Sequence, residues 1–559
     1  MNGNHDLDQA LLNQADAYSE AVKAFSERSQ DDHLLCGIHY RDLALLLHPS
    51  PLPNLPSDPT LIIAEQTTTA GYVTVIDLQK VTLPDRQQSE VSSRRELSTP
   101  KDFLDGPQIN ADRSQLIFLN GYPSREWVMT LGGTFRIDPE FWRRSQSFLH
   151  HRKYHDLPPL PSFSQRTFHL QVSTIFNRDV PITRERVDSL RVDGWGEIWS
   201  HHVNLERQGA VGESIRRQLH AYSESIYSIE QYISCTLVTK NGGWAVVIWL
   251  DIGKSTGDCF PDCCTPIIQP TTNAALHFSS RSVSPGRTSS SALFLDPHHA
   301  TQSTTQSSRH LSSQYGQSLK VALMRASPLY ALGDIFRHSA CSSNQMVNML
   351  MGRVEDALRA SYLDRHEGLS LKDLRFIKNV LDEHSAYLEE VVWFLQSGLS
   401  AWLSPQPTSN FPQHTNQSMN MESSATNNKS GMGNKKLSGA IDATQIELLE
   451  DYRCLLRRCQ RLAARCKDGT DIIINGAALR ESQRGIEQAE EVKLLTKLVF
   501  LFAPLSFVTS IFGMNFVDLS VKQGLAALLT VAVFLLIALL VALSKCGRRH
   551  LDTLHSIFS

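Results

Sequence analysis

The sequence predicts an α-helical membrane protein with two closely spaced spans near its C-terminal end, preceded by a large α/β domain and a long helix. Three observations carry this. Residues 494–512 and 524–543 are two apolar runs separated by eleven residues. Residues 232–253 hold two β-rich stretches around an Asn-Gly turn. Beyond about residue 318, apolar residues recur at helical spacing of three and four. The 559 residues suffice for two or three domains, and a net charge of -3 gives no reason to expect a nucleic-acid partner.

Residues 1–60 are expected to be an N-terminal extension. They open with "MNGNHDLDQALLNQADAYSE", which lacks the basic start and apolar core of a secretory signal and the Arg-rich character of a mitochondrial presequence. Residues 61–264 form the expected α/β domain. Within it, residues 126–149 read as a helix, a turn at Gly132-Gly133 and a second helix opened by Asp138-Pro139, an N-cap followed by a proline suited to the first turn. "RTFHLQVST" alternates as a strand does, and Asn241-Gly242 suits the type I′ turn of a hairpin.

Residues 265–316 are rich in Ser, Thr and His, and residues 404–437 in Ser, Asn, Gln and Gly. Both are expected to be a disordered insertion and linker. Two glycosylation sequons, at Asn416 and Asn428, fall in the second. Between them, residues 317–403 read as a helical bundle. Residues 438–493 read as an amphipathic stalk helix, with breaks expected near Asp468-Gly469 and Asn475-Gly476. The ten cysteines are scattered, which suits reduced thiols rather than a disulfide framework.

The first apolar run has Lys497 as its sole charge, and the second has none. Each is long enough for a hydrocarbon core of roughly 30 Å. Lys493 and Lys497 lie at the start of the first, while Lys545, Arg548 and Arg549 follow the second in a basic tail, residues 544–559. The connecting loop, residues 513–523, holds only Asp518 and Lys522. Positive residues stay inside, so both termini are expected in the cytosol and the loop outside.

The junction "APLSFVTSIFGMN" resembles the signature of the CorA family of magnesium transporters, in the form found in fungal CorA-like proteins. Pro504, Ser506 and the aromatic-Gly-Met-Asn end match; Phe512 stands where the family usually has Tyr. The close resemblance covers roughly residues 485–550. It implies a funnel-shaped homopentamer, a passive channel-like transporter and no enzymatic activity. Two spans cannot enclose a pore, so several copies must surround one axis. The selectivity motif would be Gly513, Met514 and Asn515, with Asn515 presenting side-chain oxygens to a hydrated Mg²⁺ that gives up its water reluctantly. Leu495, Ala503 and Ser506 fall at pore-lining positions, on one helical stripe with Val492 and Val499. No cofactor is implied beyond Mg²⁺ itself, as cargo and possible regulator.

Each of these residues also has a plainer reading. Gly-Met-Asn serves as a helix C-cap, and Ala503 as a small residue for helix packing. Asp518 is the loop's single acid where the family carries more, which weakens the case for capture of cations. Lys545, Arg548 and Arg549 suit an inner basic ring or headgroup anchors. Arg453, Arg457, Arg461 and Arg465 form a basic stripe that reads as a solvated face, as do Glu487, Glu490 and Glu491. "DCFPDCC" lacks the spacing of a zinc site. No Walker loop, dinucleotide fingerprint or nucleophile elbow is present. Two alternatives stay open: a transport-inactive membrane-anchored interaction protein, and a Zn²⁺ transporter on the same scaffold. The partners expected are further copies of the chain and the bilayer, and the plasma or vacuolar membrane is favoured over the mitochondrial one.

Overall fold

The computed structural model describes, with short gaps, residues 2–48, 72–146, 166–253, 264–266, 307–397, 402, 431–513 and parts of 524–537. The chain divides into two compact units, residues 1–467 and 468–559.

The first unit begins with α1 (Asn2–Ser26) and α2 (Arg41–Leu47). Strands β1 (Val73–Thr82) and β2 (Gln88–Leu97) follow, then α3 (Pro100–Leu104), β3 (Arg113–Asn120), α4 (Arg125–Phe135) and α5 (Pro139–Ser145). Next come β4 (Thr167–Arg178), α6 (Arg184–Gln208), β5 (Gln218–Ala221), β6 (Ile226–Lys240), β7 (Gly243–Leu250) and β8 (Cys264–Pro266). The strands form one sheet in the order β2-β1-β3-β7-β6-β4-β8, with β5 also on β6. Every pairing is antiparallel except β3 with β7.

Helices on both faces explain why β7, "GWAVVIWL", is apolar throughout: all eight of its residues are buried. Ile117, Leu119, Val247 and Trp249 face one core with Leu131, Phe141 and Trp142. On the opposite face Phe118 meets Tyr315, ring centroids 5.0 Å apart. Each such side chain, once buried, contributes about 1.5–3 kcal/mol. The turn between β6 and β7 has Asn241 at φ 51° and Gly242 at φ 79°, both left-handed as a type I′ hairpin requires.

Two stretches of this part depart from the sequence reading. Residues 1–60, expected to be an extension, supply Val22, Leu43 and Leu47 to the main core. No turn interrupts Gly132-Gly133; α4 continues to Phe135 and ends on Arg136 at φ 50°. These glycines serve close packing instead. A Cβ on Gly132 would lie 2.3 Å from the Tyr18 ring, and one on Gly133 2.7 Å from the Gln14 carbonyl of α1. The second helix does start at Asp138, whose side chain accepts a 2.9 Å bond from the Glu140 amide.

The helical part continues with α7 (Leu311–Gln314), α8 (Val321–Ala326), α9 (Pro328–Ala331), α10 (Gly333–Tyr362) and α11 (Glu367–Ser397). The last element is α12 (Gly431–Gly513), which begins inside the stretch expected to be linker. The breaks expected at Asp468-Gly469 and Asn475-Gly476 are absent, and the helix runs through both. Glycine there costs only about 1 kcal/mol against alanine, which a long helix absorbs.

Leu448, Tyr452, Leu455, Cys459, Leu462 and Cys466 are buried at alternating spacings of four and three. They form a heptad-like seam. Tyr452 Oη donates to the Phe336 carbonyl of α10 at 2.9 Å, and Cys459 Sγ to the Leu381 carbonyl of α11 at 3.3 Å. Arg458 bonds Asn344 and Asn348 of α10 from the flank of that seam. Of the expected basic stripe, Arg453 pairs with Glu450 and Arg465 with Glu355, so these two are tied to nearby acids.

Candidate functional site

The site singled out by the sequence lies on the last turns of α12 and beyond. Residues 481–500 are exposed without exception. They include Leu494, Leu495, Leu498, Val499 and Phe500, and Phe502 and Phe507 follow with at least 60% of their surface open. At 100° per residue these positions spread over about two-thirds of the helix circumference, and Lys493 and Lys497 fall in the remaining third. A helix end that is apolar over so wide an arc is not stable alone in water; it needs an apolar surrounding over that arc.

Leu495, Ala503 and Ser506 share one stripe of α12 within about 80° of each other, and Leu495 and Ser506 are roughly 16 Å apart along the axis. All three are exposed in the single chain. Thr509 Oγ1 and Ser510 Oγ both donate to the Ser506 carbonyl, at 2.9 and 2.8 Å, and Thr496 Oγ1 to the Val492 carbonyl at 2.7 Å. The hydroxyls are thereby satisfied within the helix and demand no water, as an apolar surrounding requires. Pro504 has no amide hydrogen, so the Phe500 carbonyl loses its helical donor.

Gly513 is the last residue of α12. Met514, Asn515, Asp518, Lys545, Arg548 and Arg549 lie outside the described residues, as does much of the second apolar run. Among the described residues, no helix is long and apolar enough to cross a membrane. Among them too, no group of His, Cys, Asp and Glu is placed to hold a metal ion. The described structure therefore brings the three stripe residues onto one face and leads that face to Gly513.

A second cluster escaped the sequence. His169, Gln171 and Ser173 alternate with Phe168, Leu170 and Val172 along β4, the usual mark of a half-solvated strand. In the fold Gln171 meets Glu230 on β6 and His384 on α11, and Ser173 meets Ser342 on α10. No local signal distinguishes polar residues that face a second layer from those that face water.

Residues 413–544 match the family model described as CorA-like Mg²⁺ transporter protein. No curated protein matches the chain. Among solved structures there is a likeness to the CorA magnesium transporter from Methanocaldococcus jannaschii. It has 10% identity and a TM-score of 0.33, over 84% of this chain and 96% of that one. A score that low leaves the likeness too loose to bear on the fold. Over residues 413–544, which hold α12, Gly-Met-Asn and both apolar runs, the chain is similar to the CorA-like Mg²⁺ transporter family.

Proposed function

We propose that this chain passes divalent cations, Mg²⁺ foremost, across a membrane as a CorA-type oligomer. The family match over residues 413–544 carries the reading. The broad apolar arc at the end of α12 supports it, because that surface needs lipid and neighbouring copies to cover it. In this reading residues 494–512 and 524–543 are the spans, both termini are cytosolic, and copies surround a pore lined by Leu495, Ala503 and Ser506. Leu495 side chains exclude water when the pore narrows, and Ser506 hydroxyls bond the water shell of the ion. Gly513 permits the turn out of the helix, and Asn515 oxygens ring the outer mouth, binding Mg²⁺ through its water rather than stripping it. Asp518 adds one negative charge per copy near that mouth, and Lys545, Arg548 and Arg549 anchor the inner face. Flux is passive, down the electrochemical gradient.

Liposomes carrying the purified oligomer test the selectivity ring. Asn515→Ala should abolish Mg²⁺ flux or let Na⁺ and Zn²⁺ compete with it. Unchanged flux and unchanged discrimination would remove Asn515 from the mechanism.

A further inference from the structure

The α10–α11 hairpin is attached to the sheet by a polar seam. β4 pairs with β6 along most of its length, but β8 covers only its last residues, Phe176 to Arg178. The open edge before that is closed by side-chain hydroxyls. Tyr387 Oη of α11 accepts from the Gln171 amide at 3.0 Å, and Ser339 Oγ of α10 donates to the Gln171 carbonyl at 2.6 Å. Ser342 Oγ accepts from the Ser173 amide at 2.8 Å and donates to its carbonyl at 2.9 Å. Hydroxyls thus satisfy a strand edge that would otherwise be buried with open donors and acceptors.

A buried chain of ionisable groups crosses the same seam. Glu230 of β6 accepts from His220 Nε2 of β5 at 3.1 Å on one oxygen and from Gln171 Nε2 at 3.3 Å on the other. The Gln171 amide oxygen then faces His384 Nδ1 of α11 at 3.3 Å. With that amide oriented towards Glu230, Nδ1 is the donor and Nε2 holds the lone pair. His384 is 2% exposed, and its Nε2 is buried without a hydrogen-bond partner.

We propose that this chain is a proton-operated latch: protonation of His384 loosens the α10–α11 hairpin from the edge of the sheet. A second N–H on the ring would sit at Nε2, buried and with no acceptor, while both Glu230 oxygens are already engaged. The other titratable groups along the seam are Tyr387 of α11, whose ring lies 5.5 Å from His384, Tyr232 of β6 and Tyr452 of α12 beside Tyr387, His169 of β4 against Tyr232, Tyr222 after β5 against His220, and Glu383 of α11. Arg217 and Asp251 pair with one another beside Tyr232, and Arg191 of α6 lies over Phe376. Burial pushes His384 down to about 4, against the pull of Glu230 and with the help of His220. The closed hairpin therefore holds neutral His384, and an opened one takes up a proton near 6.5. The open fraction grows as pH falls through that window, by about tenfold between pH 7.5 and 5.5. The latch stands independently of ion transport, because its readout is conformational.

Hydrogen exchange on the full-length protein, corrected for intrinsic rates, tests it. Peptides spanning residues 380–390 should exchange about tenfold faster at pH 5.5 than at 7.5, while β3 stays unchanged. His384→Gln keeps a donor for Gln171 but cannot charge, and should flatten the response. Equal acid sensitivity in wild type and variant, or none in wild type, would overturn the latch. Direct NMR titration of the His384 ring needs no variant: a midpoint near 4 supports the proposal, and one near 6.5 refutes it.

Discussion

One substitution, made at two glycines, should have opposite effects. Gly133 lies in α4, where an added Cβ would be 2.7 Å from the Gln14 carbonyl oxygen and 2.8 Å from the Ala15 backbone. Both contacts are backbone of α1, so relief requires moving a helix rather than a side-chain tip. Gly133→Ala gains about 1 kcal/mol of helix propensity and incurs about 1–3 kcal/mol of overpacking. The net loss reaches about 2 kcal/mol and falls on the α1–α4 contact. Gly476 lies in α12 and is also helical, but the nearest atom to its added Cβ is the Arg480 guanidinium at 3.6 Å. Gly476→Ala keeps the propensity gain and should stabilise its stretch of helix by about 1 kcal/mol. Thermal unfolding of the first unit, followed by tryptophan fluorescence, should show Gly133→Ala lowering Tm by roughly 2–6 °C. Hydrogen exchange should show faster opening of α1 in that variant, and slower opening of residues 470–485 in Gly476→Ala. A Tm that rises with Gly133→Ala would refute the claim that this glycine exists for close packing.

Three further outcomes follow from buried polar groups. His338 bonds Ser308 Oγ through Nε2 at 2.7 Å, and burial pushes it down to about 4. Its folded value lies below its unfolded one, so its contribution is complete above pH 6.5 and is lost as pH falls towards 4. Denaturation at pH 5 should show wild type losing about 2 kcal/mol that His338→Gln does not lose. Arg217 and Asp251 form a buried pair, Nε to Oδ2 at 2.5 Å, and Asp251 also accepts from the Tyr232 amide. Arg217→Met should destabilise the first unit by about 3–5 kcal/mol in urea titration, by stranding the carboxylate. Tyr452→Phe removes the bond to the Phe336 carbonyl while keeping the ring. It should lower stability by about 1–2 kcal/mol in the same assay.

Much of the architecture was legible where local chemistry and tertiary context agree. Asn241-Gly242 has the two residues that tolerate positive φ, and Asp138-Pro139 is a helix start in any surroundings. Gly132-Gly133 was misread because glycine signals either a turn or a close approach, and only the distant Tyr18 and Ala15 decide between them. Gly476 of α12 was misread for the opposite reason: only the Arg480 guanidinium comes near it, and the surrounding helix formers outweigh it. The stripe of Leu495, Ala503 and Ser506 follows from periodicity alone. The seam around Glu230 and His384 does not, since its members come from four separate elements.

The central claim is that the chain conducts divalent cations, and Mg²⁺ entry into liposomes holding the wild-type oligomer tests it most directly. An Mg²⁺-sensitive dye inside the vesicles should respond to external Mg²⁺, faster when the interior is negative. Silence from a folded, oligomeric protein towards Mg²⁺, and then towards Zn²⁺, Co²⁺ and Ni²⁺, would contradict the claim and leave a membrane-anchored interaction protein.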